Sequence, residues 1–297
     1  MNVIARHVAV VGAGPAGLSA AIELRRLGVV RVTVYEREQH AGGIPRHTNH
    51  LGFGGRDLHR VMTGPRYACT LIDRAARAGV ELRLGAPVFS LDDVDADAVI
   101  LATGVRERPR AARLVPGDRP AGIFTTGSVQ QLAMAGHRVG TRAVIVGAEH
   151  VSFSAILTLA HAGCRSVAMV THLPRHQSYG LIKLAVASLR RVPVLTGVEI
   201  AEIVGRRRVE HVVLSDGRTI ACDTVVFTGD WIPDNELARR TGLTMDPTIK
   251  GPAVDHAFRT SRDGIFAIGN LVHRVTAADR CALDGRAVAA EVVGSLA

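Results

Sequence analysis

Short unbroken apolar runs that end at glycine, each followed by an amphipathic stretch, set the pattern of this chain. His7-Val8-Ala9-Val10-Val11 runs into Gly12-Ala13-Gly14-Pro15-Ala16-Gly17, as a buried parallel strand does on entering a turn. Leu18, Ala21, Ile22, Leu24 and Leu27 then recur at helical spacing, and Gly28 supplies a stop. A second β-branched run, Val32-Thr33-Val34-Tyr35, ends at Glu36. Further strands are predicted at 98–104, 141–146 and 166–170. Phe153, Ile156, Leu157 and Ala160 mark a helix before Gly163, and Tyr67, Leu71, Ile72 and Ala75 mark another. Thr276-Ala277-Ala278-Asp279 has the form of a capping box and predicts a last helix over 276–288. Alternating strands and helices predict an α/β fold built on parallel sheets.

The first strand–turn–helix–strand unit carries chemistry. Gly12 allows the tight turn, Gly14 lets bare backbone approach a pyrophosphate, and Gly17 lets the helix pack closely on the strand. The helix N-terminus directs unpaired N–H groups and a positive dipole end at the phosphates, and Glu36 can accept from ribose hydroxyls. A dinucleotide site is the reading, with the choice between FAD and NAD open at this point.

Composition narrows the partners. The 297 residues, 47% of them hydrophobic, suit about two domains. The net charge of +9 comes from scattered arginines, of which only Arg206-Arg207-Arg208 form a run. Without a basic helix or an aromatic platform, no nucleic acid is expected, and an anionic cofactor and a small, anionic substrate fit the charge better. Cys69, Cys164, Cys222 and Cys281 lie far apart with no Cys-x-x-Cys, so neither a metal site nor a vicinal disulfide is signalled, and a reducing cytoplasm is expected. The N-terminal stretch lacks the features of a signal peptide, and no apolar run reaches the length of a membrane span.

Two later fragments bear on that choice through a resemblance. Ala98-Val99-Ile100-Leu101-Ala102-Thr103-Gly104 ends in an Ala-Thr-Gly, and Thr260-Ser261-Arg262-Asp263-Gly264-Ile265-Phe266-Ala267-Ile268-Gly269-Asn270 follows near the C-terminus. With the first glycine-rich unit, these resemble the ordered fingerprints of the FAD-dependent pyridine nucleotide-disulfide oxidoreductase superfamily, in its small thioredoxin-reductase-like form. The last fingerprint usually ends Gly-Asp; Asn270 can still bond a ribityl hydroxyl, without charge. The resemblance covers essentially the whole chain and implies two Rossmann-like domains. A discontinuous FAD-binding domain would span 1–108 and 250–297, with a second domain over 109–249 inserted in it. It implies Gly12, Gly14, Pro15, Ala16, Gly17, Glu36, Arg37, Gly43, Ile44, Val88, Thr103, Gly104, Gly269 and Asn270 as FAD contacts. The last helix would aim its N-terminus at the flavin, where its dipole favours developing negative charge.

The run Gly42-Gly43-Ile44-Pro45-Arg46-His47-Thr48-Asn49-His50-Leu51-Gly52-Phe53-Gly54, with Met62-Thr63-Gly64-Pro65-Arg66-Tyr67-Ala68 after it, is more specific. It is similar to a signature of FAD subunits in opine, hydroxyproline, cyanide-forming and glycerol-3-phosphate-dehydrogenase-associated complexes. That implies substrate dehydrogenation within a homo- or hetero-oligomer that includes another dehydrogenase subunit. Phe124-Thr125-Thr126-Gly127-Ser128-Val129-Gln130 stands where thioredoxin reductases carry their cysteine pair, so dithiol chemistry is excluded.

The second domain repeats the turn in altered form, as Gly147-Ala148-Glu149-His150-Val151-Ser152, with Glu149 at the second glycine position and Ser152 at the third. Glutamate at the second glycine position adds bulk and negative charge where a pyrophosphate needs bare backbone, which argues against NAD(P)H. The next strand ends at Thr171 without a ribose-binding acid, although His172 and Arg175 leave a 2′-phosphate open. The domain reads as one kept for packing or docking. Met169 and Trp231 read as packing residues.

Candidate bases are His47, His50 and His59, with His50 at the histidine of the signature. Arg46, Arg56, Arg60 and Arg66 crowd the same stretch and could hold a carboxylate or phosphate, or equally pair with FAD phosphates or face water. Tyr67 is expected to pack. The leading expectation is an FAD-dependent dehydrogenase or oxidase acting on a small amine, amino acid or hydroxy acid. The alternatives are an NAD(P)H- or ferredoxin-linked flavin reductase and a flavin-holding scaffold.

Overall fold

The computed structural model describes residues 4–178 and 191–296. The chain forms two compact units, one made of 1–106 with 232–297 and the other of 107–231. The second crossing falls at 231/232, where the sequence suggested 249/250. The reason is hydrophobic: Leu237, Ala238 and Leu243 are buried in one cluster with Ala9, Leu101 and Ala267 of the first unit.

In the first unit, strand β1 (Ile4–Val11) leads to helix α1 (Pro15–Arg26) and strand β2 (Val29–Tyr35). Helix α2 (Gly64–Arg77) and strands β3 (Glu81–Arg83) and β4 (Ala98–Leu101) follow. In the second unit come β5 (Ile123–Thr125), α3 (Thr126–Met134), β6 (Arg142–Val146), α4 (His150–His161) and β7 (Arg165–Thr171). Strands β8 (Val194–Thr196), β9 (Ile200–Val204), β10 (His211–Leu214), β11 (Thr219–Ala221) and β12 (Thr224–Phe227) complete it. The chain then returns to the first unit, which closes with β13 (Ile265–Ala267) and helix α5 (Ala278–Leu296).

Each unit holds a five-stranded parallel sheet, in the order β13-β4-β1-β2-β3 in the first and β8-β7-β6-β12-β5 in the second. Strands β9, β10 and β11 make a separate antiparallel sheet. Parallel strands covered on both faces must be apolar throughout, and Val8, Ala9 and Val10 are fully buried. β1 pairs β2 on one side through Val8↔Val32 and β4 on the other through Val8↔Ala98. The strand order therefore reverses beside β1, and ligands of such sheets bind at the carboxyl ends of the strands there.

Close backbone packing fixes that end of the sheet. A Cβ on Gly17 would lie 2.0 Å from the Gly12 carbonyl oxygen, and one on Gly285 of α5 would lie 2.2 Å from that of Ala16. Glycine at these points lets α1 sit tightly on β1 and α5 tightly on α1. Gly285→Ala should cost about 1–3 kcal/mol by overpacking. Gly294→Ala, in the same helix with nothing within 4 Å of a new Cβ, should be neutral or stabilising. Urea denaturation of both variants checks this, and equal midpoints would contradict the packing argument.

Candidate functional site

The turn after β1 gathers small residues from three parts of the first unit. Gly12 adopts φ +110°, and a Cβ there would lie 2.5 Å from the Ala102 carbonyl oxygen. Gly43 lies so close to Gly14 that a Cβ would come 3.0 Å from its Cα, and one on Gly269 would come 3.0 Å from Ala16 Cβ. Gly12, Gly14, Pro15, Ala16, Gly17, Gly43 and Gly269 thus form one cradle at the N-terminus of α1.

That N-terminus is left open to an anion. Gly14 caps α1 without any side-chain hydrogen bond, and no acidic residue stands in the first turn. A Cβ on Gly14 would meet nothing within 4 Å. Glu36 turns toward the same turn, where its Oε2 accepts from Ala13 N at 2.9 Å and its Oε1 from Glu38 N at 3.0 Å. Bare backbone, a free helix end and an oriented carboxylate are what the pyrophosphate and ribose of a dinucleotide need, so these residues fit FAD.

Other candidates have partners of their own. Arg37 reaches Asp234 at 2.8 Å, and the Thr103 hydroxyl donates to the Asp234 carbonyl, while Gly104 O accepts from Asp234 N. Val88 packs beside the cluster of Ala9, Leu101 and Ala267, and Ile44 is exposed. Asn270 Oδ1 accepts from Thr276 N at 2.9 Å, tying the loop that leads into α5. The expected capping box does not form. Thr276 N–H is spent on Asn270, α5 begins at Ala278, and Asp279 Oδ1 and Oδ2 accept from Arg56 Nη1 and N at 3.1 Å. A guanidinium offers the buried Asp279 a charge-assisted bond that a backbone N–H does not.

The segment after Gly43 is densely bonded. Arg46 pairs with Glu38 and the His40 carbonyl and donates from Nε and Nη2 to His47 Nε2. Burial, reinforced by the Arg46 charge, lowers the His47 pKa below the ordinary 6.5. His50 Nδ1 lies 2.8 Å from the Leu51 carbonyl, an acceptor to which the ring can only donate. His59, Arg60 and Arg66 are exposed.

Two residues here carry more than their sequence suggested. Tyr67, read as packing, is fully buried and donates its hydroxyl to Asp57 Oδ2 at 2.8 Å. Asp57 is itself buried, its carbonyl accepts from Arg286 Nη2 at 2.9 Å, and desolvation raises its pKa. No local pattern marks Asp57, since its partners lie on α2 and α5. In the second unit, burial pushes the thiols of Cys164 and Cys222 up to about 11, and in the first that of Cys281 to about 12. Such thiols stay protonated and unreactive at neutral pH. Among the described residues no helix is long and apolar enough to cross a membrane, and no group of three or more His, Cys, Asp or Glu is placed to hold a metal.

The pyridine nucleotide-disulphide oxidoreductase family model matches residues 6–285. The chain belongs to this family. It is an FAD-dependent oxidoreductase, with no Cys-x-x-Cys pair in its sequence. It is 30% identical over 283 residues to the chlorobenzene dioxygenase ferredoxin reductase component of Cupriavidus sp. (strain PS12), covering 90% of this chain and 67% of that protein. It is 29% identical over 338 residues to an opine oxidase subunit of Agrobacterium tumefaciens (strain Ach5), covering 97% of this chain and 63% of that protein. Thioredoxin reductase of T. acidophilum shares the fold, with a TM-score of 0.82 over 98% of both chains at 22% identity.

The His47 geometry makes a pH prediction. Its folded-state pKa lies below the unfolded value, so its contribution to stability is present above the unfolded pKa and is lost as the pH falls through the folded one. The ring should titrate below 6.5 by NMR, and His47→Gln should reduce the loss of stability on acidification. A midpoint above 6.5 would contradict the contact with Arg46.

Proposed function

We propose that this chain is the FAD-carrying reductase component of a multi-component redox system, exchanging electrons with a ferredoxin-type partner protein. The observation that carries this is its likeness, over 90% of its length, to ferredoxin reductase components of dioxygenase systems. FAD supplies the electron-accepting centre. Gly12, Gly14, Pro15, Ala16, Gly17, Gly43 and Gly269 leave backbone open to its pyrophosphate, Glu36 faces its adenosine ribose, and Asn270 and the start of α5 stand toward its flavin end. Arg37, Ile44, Val88, Thr103 and Gly104 border the same cofactor.

One relative, from the benzene dioxygenase system of Pseudomonas putida, is named for both ferredoxin and NAD(+). This chain keeps the flavin half of that pairing and departs from the nicotinamide half, since Glu149 stands in the turn of its second unit. The family ordinarily joins FAD to NAD(P)H; here the second unit serves as a packing and docking body.

A second reading, dehydrogenation of a small amine, amino acid or hydroxy acid as one subunit of a complex, is favoured by the His47–His50 segment and its likeness to the opine oxidase protein. In it His50 or His47 removes the substrate proton, and Arg46, Arg56 and Arg66 attract a carboxylate. Arg46 and Arg56 already have acidic partners, whereas Arg66, like Arg60, is exposed.

Anaerobic spectroscopy of the FAD-loaded chain separates the two. Reduced ferredoxin should bleach the flavin band stoichiometrically, and NADH or NADPH should leave it oxidised on the same timescale. Bleaching by an amine or hydroxy acid, with no response to ferredoxin, would replace the first reading by the second.

A further inference from the structure

The second unit repeats the architecture of the first up to the residue that should meet phosphate. β6 enters Gly147 at φ +136°, and a Cβ there would lie 1.9 Å from the Thr228 hydroxyl, so the first glycine of the motif still makes its tight turn. Helix α4 begins immediately after Glu149, in the place where α1 follows Gly14.

The two helix starts then diverge. Glu149 bends its side chain back over the turn, where Oε2 accepts from Ala148 N at 3.0 Å, and it forms a capping box with Ser152 at the helix start. Ser152 answers in kind: its hydroxyl accepts from Glu149 N at 3.2 Å and shares a 2.6 Å hydrogen bond with Thr228, at a fully buried position. The carboxylate is wedged between two glycines. A Cβ on Gly147 would lie 2.8 Å from its Oε2, and one on Gly229 would lie 2.8 Å from its Oε1. Oε1 is itself buried and has no hydrogen-bond partner among the described residues.

A second acid repeats the device. Glu107 Oε2 accepts from Gly127 N at 2.7 Å at the start of α3, and its Oε1 is likewise buried without a partner among the described residues. Two helix N-termini at the carboxyl ends of this sheet are therefore capped by carboxylates of the chain, where α1 presents open backbone. Arg113, which donates to the carbonyls of Thr228 at 3.0 Å and Gly229 at 2.7 Å, brings its charge near both carboxylates.

We infer that Glu149 is a built-in surrogate for the nucleotide phosphate, and that this one side chain excludes NADH and NADPH from the second unit. The residues there do not fit a nicotinamide dinucleotide. Its pyrophosphate would need the N–H groups that Glu149 and Ser152 already occupy, at a point where the dipole is satisfied by a fixed negative charge. The inference deepens the proposed function and rests on its reading of the second unit as free of nicotinamide nucleotide. It adds that the exclusion is a local, reversible property of one carboxylate and not of the domain.

The test is equilibrium binding of NADH and NADPH to the full FAD-loaded chain, by calorimetry, for the wild type, Glu149→Gly and Glu149→Gln. Glycine is an adequate helix cap, costing a few tenths of a kcal/mol against the better ones, so Glu149→Gly should fold with its FAD content unchanged. It should bind one of the two nucleotides at least about tenfold more tightly than the wild type. Glu149→Gln, which removes the charge but keeps the bulk, should gain less, and it reads the charge alone if Glu149→Gly does not fold. Saturable micromolar binding by the wild type, or variants that bind no better than the wild type, would overturn the inference. Because the assay reads binding and not turnover, it is independent of the electron partner that the flavin serves.

Discussion

The first turn of an α-helix leaves backbone N–H groups without partners and gathers the positive end of the helix dipole, so something electronegative has to meet it. In this chain that demand is answered in two ways on two copies of the same scaffold. At α1 the sequence supplies Pro15 and glycines and no acid, so the end stays open to a ligand. At α4 it supplies Glu149, which folds back and satisfies the end from within. The account of cofactor use follows from this difference at one helix start, which Ser152 completes by accepting from Glu149 N.

For the open end to be useful, the backbone around it has to be held in place. The close approach of Gly17 to Gly12 sets α1 on its strand, and that of Gly285 to Ala16 sets α5 on α1. α5 in turn brings Asp279 and Arg286 to the segment of Arg56 and Asp57, whose carboxylate meets Tyr67 on α2. The cradle and the basic, histidine-rich segment beside it are thus braced by the same helix. A change at Gly285 would be felt at both.

Much of the architecture could be read from local pattern. The β-branched runs at Val8–Val11 and Val32–Tyr35, and the glycines between them, specify a strand–helix–strand unit because each residue's job is set by its immediate neighbours. Gly14, Ala16, Gly43 and Gly269, distant in sequence, do lie together. What stayed hidden depends on long-range choices. Leu237, Ala238 and Leu243 carry no local sign of which core they join, so the border of the second unit lay elsewhere than expected. Asp279 has the spacing of a capping residue, yet Arg56, far away in sequence, claims it. Asp57 has no sequence signature at all. At Glu149 the sequence announced a lost glycine; that the new carboxylate returns to cap its own helix is a matter of rotamer and space.

Amide hydrogen exchange, resolved by residue and compared with and without each nucleotide, tests the central claim most directly. The account predicts that FAD slows exchange across Gly12–Gly17 and at Gly43, and that NADH and NADPH leave the amides of Gly147–Ser152 unchanged. Protection of Gly147–Ser152 by a nicotinamide nucleotide, with no effect of FAD at the first turn, would contradict it.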